Sequence, residues 1–180
     1  MAVRSLGLFC AASETIDALY VQAACEVGHL VGSLGFTLVY GGAKAGLMET
    51  TAAAAKEKGA HIVGVFPRIL IERNRVSELP DEKVVTENLS DRKDNILLRS
   101  DVLLALPGGV GTLDEVFHVM AAATIGYHRK RVIFYNVNGF WDGILAQLDS
   151  FRKAGFVRGN ADSYYTVANN IAELEELLKG

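Results

Sequence analysis

Short runs of consecutive apolar residues alternate with amphipathic segments along the whole of this 180-residue chain. Such runs predict strands that are buried on both faces, and the segments between them have the 3.6-residue periodicity of helices. Strands and helices that alternate in this way form a parallel sheet covered by helices on both sides. The sequence therefore predicts an α/β fold with a mostly parallel sheet. The length and the 50% hydrophobic content predict one domain over residues 1–180.

The predicted elements follow from these runs and from the residues that end them. The strands span residues 3–9, 36–40, 60–66, 83–86, 101–106, 132–135 and 164–167. The helices span residues 15–34, 46–58, 89–100, 113–125, 141–154 and 171–179. Ser13 is a candidate N-cap for the first helix, and Gly35 and Gly59 suit the ends of the first two. Residues 68–80 are charged and irregular, with room for one helical turn.

A glycine-rich turn at residues 107–111 joins the apolar run before it to the amphipathic segment after it. Glycines allow a tight turn with exposed backbone N–H groups, and a helix N-terminus adds unpaired donors and partial positive charge. This geometry favours phosphate binding. The turn is not a Walker A loop, because no Lys-Ser/Thr pair follows the glycines. It is not the dinucleotide fingerprint either, because its glycines are spaced Gly-Gly-x-Gly rather than Gly-x-Gly-x-x-Gly. The candidate phosphate-binding residues are Gly108, Gly109, Val110, Gly111 and Thr112.

Two more turns follow predicted strands, at residues 10–13 and 40–46. Because ligands bind beyond the carboxyl ends of parallel strands, all three turns are expected at one edge of the sheet. Ser13, Gly41 and Gly42 are therefore further candidate binding residues. Lys44, in the same turn as the two glycines, fits a phosphate contact and a solvated loop lysine equally well.

Thr112 and Glu115 have the spacing of a capping box, in which Thr112 is the N-cap and Glu115 bonds back to its N–H group. The functional alternative places Glu115 at the mouth of the anion site, where a carboxylate holds a sugar hydroxyl or activates water.

Arg92 and Lys93 also have two interpretations. Mixed charge at residues 91–95 is typical of a solvated helix end. Cations in a first helical turn oppose the helix dipole, however, and this favours an anionic partner.

Composition excludes several classes of function. A formal charge of −3 provides no basic surplus for nucleic acid. Cys10 and Cys25 form no disulfide framework and are expected to be buried. No two His residues have metal-ligand spacing with a third partner, so no metal is predicted. No segment approaches the roughly 18 apolar residues of a membrane helix. A cytoplasmic protein without a membrane partner is expected.

The combined motifs resemble the Lonely Guy (LOG) family of cytokinin riboside 5′-monophosphate phosphoribohydrolases, often labelled lysine decarboxylases. The family signature Pro-Gly-Gly-x-Gly-Thr-x-x-Glu is matched at every fixed position by residues 107–115, and its upstream Arg-Lys pair is matched by Arg92 and Lys93. Residues 40–48, 62–67 and 126–130 are similar to further family segments in the same order.

This resemblance implies a Rossmann-like three-layer α/β/α fold, a homodimer and hydrolysis of the N-glycosidic bond of an adenine-type nucleoside 5′-monophosphate. It further implies that residues 108–112 hold the phosphate, that Arg92 and Glu115 are catalytic, and that Lys93 lies close to the substrate. Glu87 or Glu72 matches the family's upstream acidic contact. No cofactor is expected, and the sequence identifies neither the lysine nor the pyridinium partner that pyridoxal-phosphate decarboxylation requires.

Departures from the family pattern surround the expected base pocket. Ala43 replaces the third glycine of the first turn, Glu49 follows Met48 where glycine is usual, and Leu89 and Ser90 replace Met-His. A non-enzymatic carrier of a nucleotide or a phosphorylated cofactor is therefore the alternative function.

Overall fold

The computed structural model of the protein describes residues 4–157 and 164–180. The strands within them are β1 (Ser5–Phe9), β2 (Thr37–Tyr40), β3 (Ile62–Pro67), β4 (Glu82–Thr86), β5 (Val102–Ala105), β6 (Val132–Tyr135) and β7 (Tyr165–Ala168). The helices are α1 (Ala18–Ser33), α2 (Gly46–Glu57), α3 (Arg68–Glu72), α4 (Leu89–Arg99), α5 (Val110–Thr124), α6 (Asp142–Lys153) and α7 (Ile171–Lys179), with a short 3-10 helix at Val137–Gly139.

The described strands form one seven-stranded sheet in the order β4-β3-β2-β1-β5-β6-β7, and every pairing is parallel. The chain builds outward from β1 to β4, returns to pair β5 with β1, and then builds outward in the other direction. The strand order therefore reverses between β1 and β5, and the loops that follow these two strands diverge there. A crevice at such a switch point is the usual ligand site of an open α/β sheet.

Alternate residues of each strand pack on opposite faces of the sheet. On one face, Leu38 and Tyr40 of β2 belong to the core with buried residues of α1, α2 and α7. On the other face, Val39 packs with buried residues of α4, α5 and α6. This confirms the predicted three layers, and the burial of both sheet faces explains the nearly continuous apolar strands.

Most predicted elements are confirmed to within a few residues, and helix 171–179 has the predicted bounds. Residue 3, the predicted start of the first strand, lies outside the described residues. Ser13 as N-cap is wrong, because α1 begins at Ala18 and the Asp17 carboxylate accepts the Leu19 N–H. Cys10 is buried as predicted, whereas Cys25 is only half-buried.

Candidate functional site

A cleft of about 270 Å³ opens at the carboxyl edge of the sheet, at the switch between β1 and β5. Its walls come from the loop after β1, the start of α2, and helices α4 and α5. The lining residues are Cys10, Ala11, Ala12, Ser13, Met48, Arg92, Gly109, Gly111, Thr112 and Glu115. The fold thus brings together three of the sequence motifs that lie far apart along the chain.

The glycine turn ends directly in α5, which begins at Val110 with Gly109 as its N-cap residue. No described side chain caps this helix end. Thr112 therefore lies in the first turn of α5, and the predicted capping box is wrong. Gly108 is packed against the Thr112 side chain so closely that a Cβ atom at position 108 would overlap Oγ1 of Thr112. The uncapped N-terminus leaves backbone donors and positive dipole potential facing the cleft, which suits an anion.

Arg92 is held by contacts with three separate parts of the chain. Its Nε donates to the carbonyl oxygen of Val65 on β3 at 3.1 Å, and its Nη1 donates to Oε1 of Glu115 on α5 at 2.7 Å. The guanidinium lies against Gly41 at the end of β2, where a Cβ atom would overlap it. With 8% of its surface exposed, Arg92 is not a solvated residue of a helix end, and that interpretation is wrong.

Glu115 is 4% exposed and lies in the body of α5. Burial raises the pKa of its carboxyl group to about 7, and the nearby charge of Arg92 limits this rise. A carboxyl group with a pKa near neutrality can exchange a proton during a reaction at physiological pH. The pair therefore provides one cation and one titratable acid within the same cleft.

Two more side-chain contacts connect α4 with α5 beside this pair. Lys93 Nζ lies 2.8 and 2.9 Å from the two carboxylate oxygens of Asp114, and His118 Nε2 lies 2.9 Å from Oδ1 of Asp94. Consecutive residues 92, 93 and 94 of α4 thus each bind a side chain of α5. We call these three contacts the α4–α5 contacts.

The remaining sequence-predicted residues lie around the cleft or away from it. Ser13 lines the cleft and also an adjoining cavity that includes Lys44. Gly42 packs against the Phe66 ring and does not line the cleft. The carboxylate of Glu87 is exposed and binds Arg68 at 2.8 Å, which places it outside the cleft wall.

Several residues of the site are missed by sequence reasoning. Met48 lines the cleft, but its apolar side chain gives no functional signal in the sequence. Cys10 also lines the cleft; its turn is expected at this edge of the sheet, but its residue type predicts only a buried side chain. Asp114 has no motif of its own, and the carbonyl of Val65 carries no side-chain signal at all. Burial raises the pKa of the Cys10 thiol further above its ordinary value, so it favours the neutral form.

The outer side of α4 and α5 carries a second feature, an apolar groove of about 790 Å³. Leu98, Ile125 and Tyr127 line it with most of their surface exposed. Exposed apolar residues grouped in this way are typical of a surface that another molecule covers.

Within the described residues, no three His, Cys, Asp or Glu side chains are grouped closely enough to hold a metal ion. None of the described helices combines the length and the apolar character that crossing a membrane requires.

These features define a Rossmann-like α/β protein with a glycine-rich, anion-suited helix terminus beside a buried Arg–Glu pair. The family described as "Possible lysine decarboxylase" matches residues 48–178. The chain belongs to this family, the LOG family that its signature predicts.

Named relatives match almost the full chain. A protein of Mycobacterium tuberculosis named cytokinin riboside 5′-monophosphate phosphoribohydrolase is 36% identical over 94% of this chain and 90% of its own length. A protein of Arabidopsis thaliana with the same name and the designation LOG3 is 32% identical over 98% of this chain and 82% of its own length.

Solved structures share the fold. The Moco carrier protein of Chlamydomonas rheinhardtii superposes with a TM-score of 0.73 at 26% identity, over 99% of this chain and 97% of that chain. The molybdenum cofactor binding protein of Rippkaea orientalis has a TM-score of 0.75 at 24% identity, with the same coverage.

Proposed function

We propose that this protein hydrolyses the N-glycosidic bond of an adenine-type nucleoside 5′-monophosphate, releasing the free base and ribose 5-phosphate. The observation that carries the proposal is the buried Arg92–Glu115 pair beside the uncapped N-terminus of α5. The names and nearly full-length similarity of the curated relatives support the same activity.

The 5′-phosphate binds at the glycine turn, where the backbone N–H groups of residues 108–112 and the α5 dipole favour an anion. Ser13, on the loop after β1, also lines the cleft, and its hydroxyl supplies a side-chain donor. Because the phosphate is bound away from the reacting atoms, it orients the ribose and holds the N-glycosidic bond near the Arg92–Glu115 pair.

Cleavage of a glycosidic bond passes through a transition state with positive charge on the sugar. As the C1′–N bond breaks, water adds to C1′ and the base leaves with a proton. Ionised Glu115 holds the ribose hydroxyls, stabilises the positive charge and positions the water. Arg92 neutralises negative charge on the phosphate or on the departing base, and its bond to Val65 keeps the guanidinium in place.

We further propose that the protein is a homodimer that uses the apolar groove on α4 and α5 as its interface. Leu98, Ile125 and Tyr127 are largely exposed and grouped in this one groove, which supports the proposal because grouped apolar surface is typical of an interface. Both proposed catalytic residues lie on the helices that form this groove, so dimerisation stabilises the helices of the site. We also propose that the protein acts in cytokinin formation.

A base-release assay tests the activity. Purified protein is incubated with AMP and with isopentenyladenosine 5′-monophosphate, and the free base is quantified by chromatography. Release from at least one substrate is expected, and the corresponding nucleosides without phosphate are the matched controls. A correctly folded protein that releases base from neither nucleotide contradicts the proposal.

The second candidate is a non-enzymatic carrier of a phosphorylated ligand. The Moco carrier protein of Chlamydomonas rheinhardtii, similar over nearly the whole chain, motivates it. A carrier binds its ligand stably and leaves it intact. Mass spectrometry of ligand retained after long incubation distinguishes the two, because an enzyme retains products whereas a carrier retains the unchanged nucleotide or cofactor.

A further inference from the structure

Asp114 lies next to Glu115 in sequence, yet its side chain makes a different contact. Both of its carboxylate oxygens accept hydrogen bonds from Lys93 Nζ, and only 14% of the Lys93 side chain is exposed. A lysine on a flexible four-carbon stem is therefore held at one defined position.

The position of Lys93 matters because several charges surround the buried carboxyl group of Glu115. Arg92 and Lys93 approach it from α4, Asp114 adjoins it on α5, and the Cys10 thiol faces it from the end of β1. Arg92 is bound directly to Glu115, whereas Lys93 is bound to Asp114. Without the Asp114 carboxylate, Lys93 loses its hydrogen-bond acceptor. Glu115 is then an acidic group with which Lys93 already interacts electrostatically.

We propose that Asp114 is a positioning residue, which binds Lys93 through both oxygens and keeps this cation from pairing with Glu115. Glu115 then has Arg92 as its ion-pair partner and its second oxygen remains for the substrate. This inference rests on the proposed function, in which Glu115 acts on the ribose.

The electrostatic consequence has a defined sign. The negative charge of Asp114 raises the pKa of Glu115, and the positive charge of Lys93 lowers it. Loss of Asp114 removes the first effect and frees Lys93 to increase the second, so the pKa of Glu115 falls. Loss of Lys93 has the opposite effect. Through-space charge alone gives shifts of these same two signs, so the positioning role is identified by coupling between the two residues. If Asp114 restrains Lys93, Asp114→Asn lowers the pKa of Glu115 more when Lys93 is present than in the Lys93→Met background, and equal shifts in the two backgrounds overturn the inference.

The test compares pH–rate profiles of base release for Asp114→Asn and Lys93→Met. The acidic limb is expected to move down by about half a pH unit or more in the first variant and up in the second. Asp94→Asn is the matched control, because it alters another of the α4–α5 contacts but leaves Lys93 bound to Asp114. Asp114→Glu, which keeps the charge, is expected to retain the wild-type profile and guards against misfolding of the Asn variant.

A direct titration separates this inference from the proposed function. Carbon-13 NMR of protein labelled at the glutamate carboxyl carbons follows Glu115 without any turnover, and Glu115→Gln assigns its signal. An unmoved Glu115 titration in Asp114→Asn, or shifts of equal sign in both variants, overturns the inference. If the wild-type protein releases no base, the proposed function fails, and the NMR shifts alone decide the role of Asp114.

Discussion

Arg92 Nη1 lies 2.7 Å from Glu115 Oε1, and no more than a tenth of either side chain is exposed. The two residues lie on consecutive helices, α4 and α5, on the same face of the sheet. Each charge is buried beside its opposite, because a lone charge at this depth is costly. Removal of either residue therefore affects both the proposed chemistry and the stability of the fold.

Glu115→Gln is expected to lower kcat for base release at least about a hundredfold, since a neutral amide stabilises developing positive charge poorly. The side-chain size is unchanged, so circular dichroism is expected to show an intact fold. Glu176→Gln, an exposed substitution on α7, is the control. A Glu115→Gln enzyme with more than a tenth of wild-type activity would remove Glu115 from the mechanism.

Arg92→Met leaves the Glu115 carboxylate buried without its cation. At pH 8 the free energy of unfolding is expected to fall by about 3 kcal/mol, as for other broken buried pairs. At pH 5 the loss is smaller, because a protonated Glu115 needs no cation. Denaturant unfolding at both pH values measures this. Arg99→Met, which breaks an exposed pair with Glu82, is expected to cost less than about 1 kcal/mol at either pH.

Gly41→Ala tests the close approach of the β2 end to Arg92. The added methyl group overlaps the guanidinium, so Arg92 must move from Val65 and Glu115. Base release is expected to fall at least about tenfold, as when a catalytic group is misplaced by a fraction of an ångström. Gly143→Ala in α6 meets no neighbouring atom and is expected to keep full activity and to gain up to about 1 kcal/mol of stability. Equal activity of the two variants would contradict the prediction.

The raised pKa of Glu115 has a consequence for stability as a function of pH. Its folded-state pKa of about 7 is above the ordinary value of 4.5, so the folded protein binds the proton more tightly than the unfolded chain does. The associated stability is full below pH 4.5 and is lost as the pH rises through about 7. The difference in unfolding free energy, wild type minus Glu115→Gln, is expected to decrease by about 2 kcal/mol from pH 5 to pH 8. Urea unfolding measures it, and a constant difference would show that Glu115 titrates normally.

The proposed dimer interface is tested by charge placed in the groove. Leu98→Glu is expected to convert the dimer to a monomer, because a buried unpaired carboxylate opposes association. Light scattering coupled to size-exclusion chromatography gives the mass. Leu177→Glu, an exposed leucine on α7 away from this groove, is the control. A wild-type protein that is monomeric at micromolar concentration would contradict the proposal.

The order of strands and helices could be predicted because buried parallel strands have few polar interruptions and because glycines end several helices. Gly35 and Gly59 have positive φ after α1 and α2, as their positions predict. Ser13 does not mark the start of α1, because Asp17, four residues later, provides the same kind of cap.

The site could be predicted only in part. The glycine turn is local, so its position at the N-terminus of α5 follows from sequence. The start of α5 three residues earlier than predicted changes Glu115 from a helix cap to a partner of Arg92. Arg92 and Glu115 are 23 residues apart with a strand between them, and this spacing alone does not distinguish the two roles of Glu115. The α4–α5 contacts depend on the rotation of both helices about their axes, which packing on the sheet determines.

The α4–β5–α5 unit contains both members of the Arg92–Glu115 pair and the glycine turn, whereas the loop after β1 and the start of α2 supply the rest of the cleft lining. The proposed catalytic pair and phosphate site are consequently encoded in one stretch of the chain, and the rest of the cleft lining is encoded in another. Exchange of the loop after β1 or of the start of α2 can retune ligand preference while the reaction machinery stays intact, which makes this scaffold suited to divergence among phosphorylated ligands.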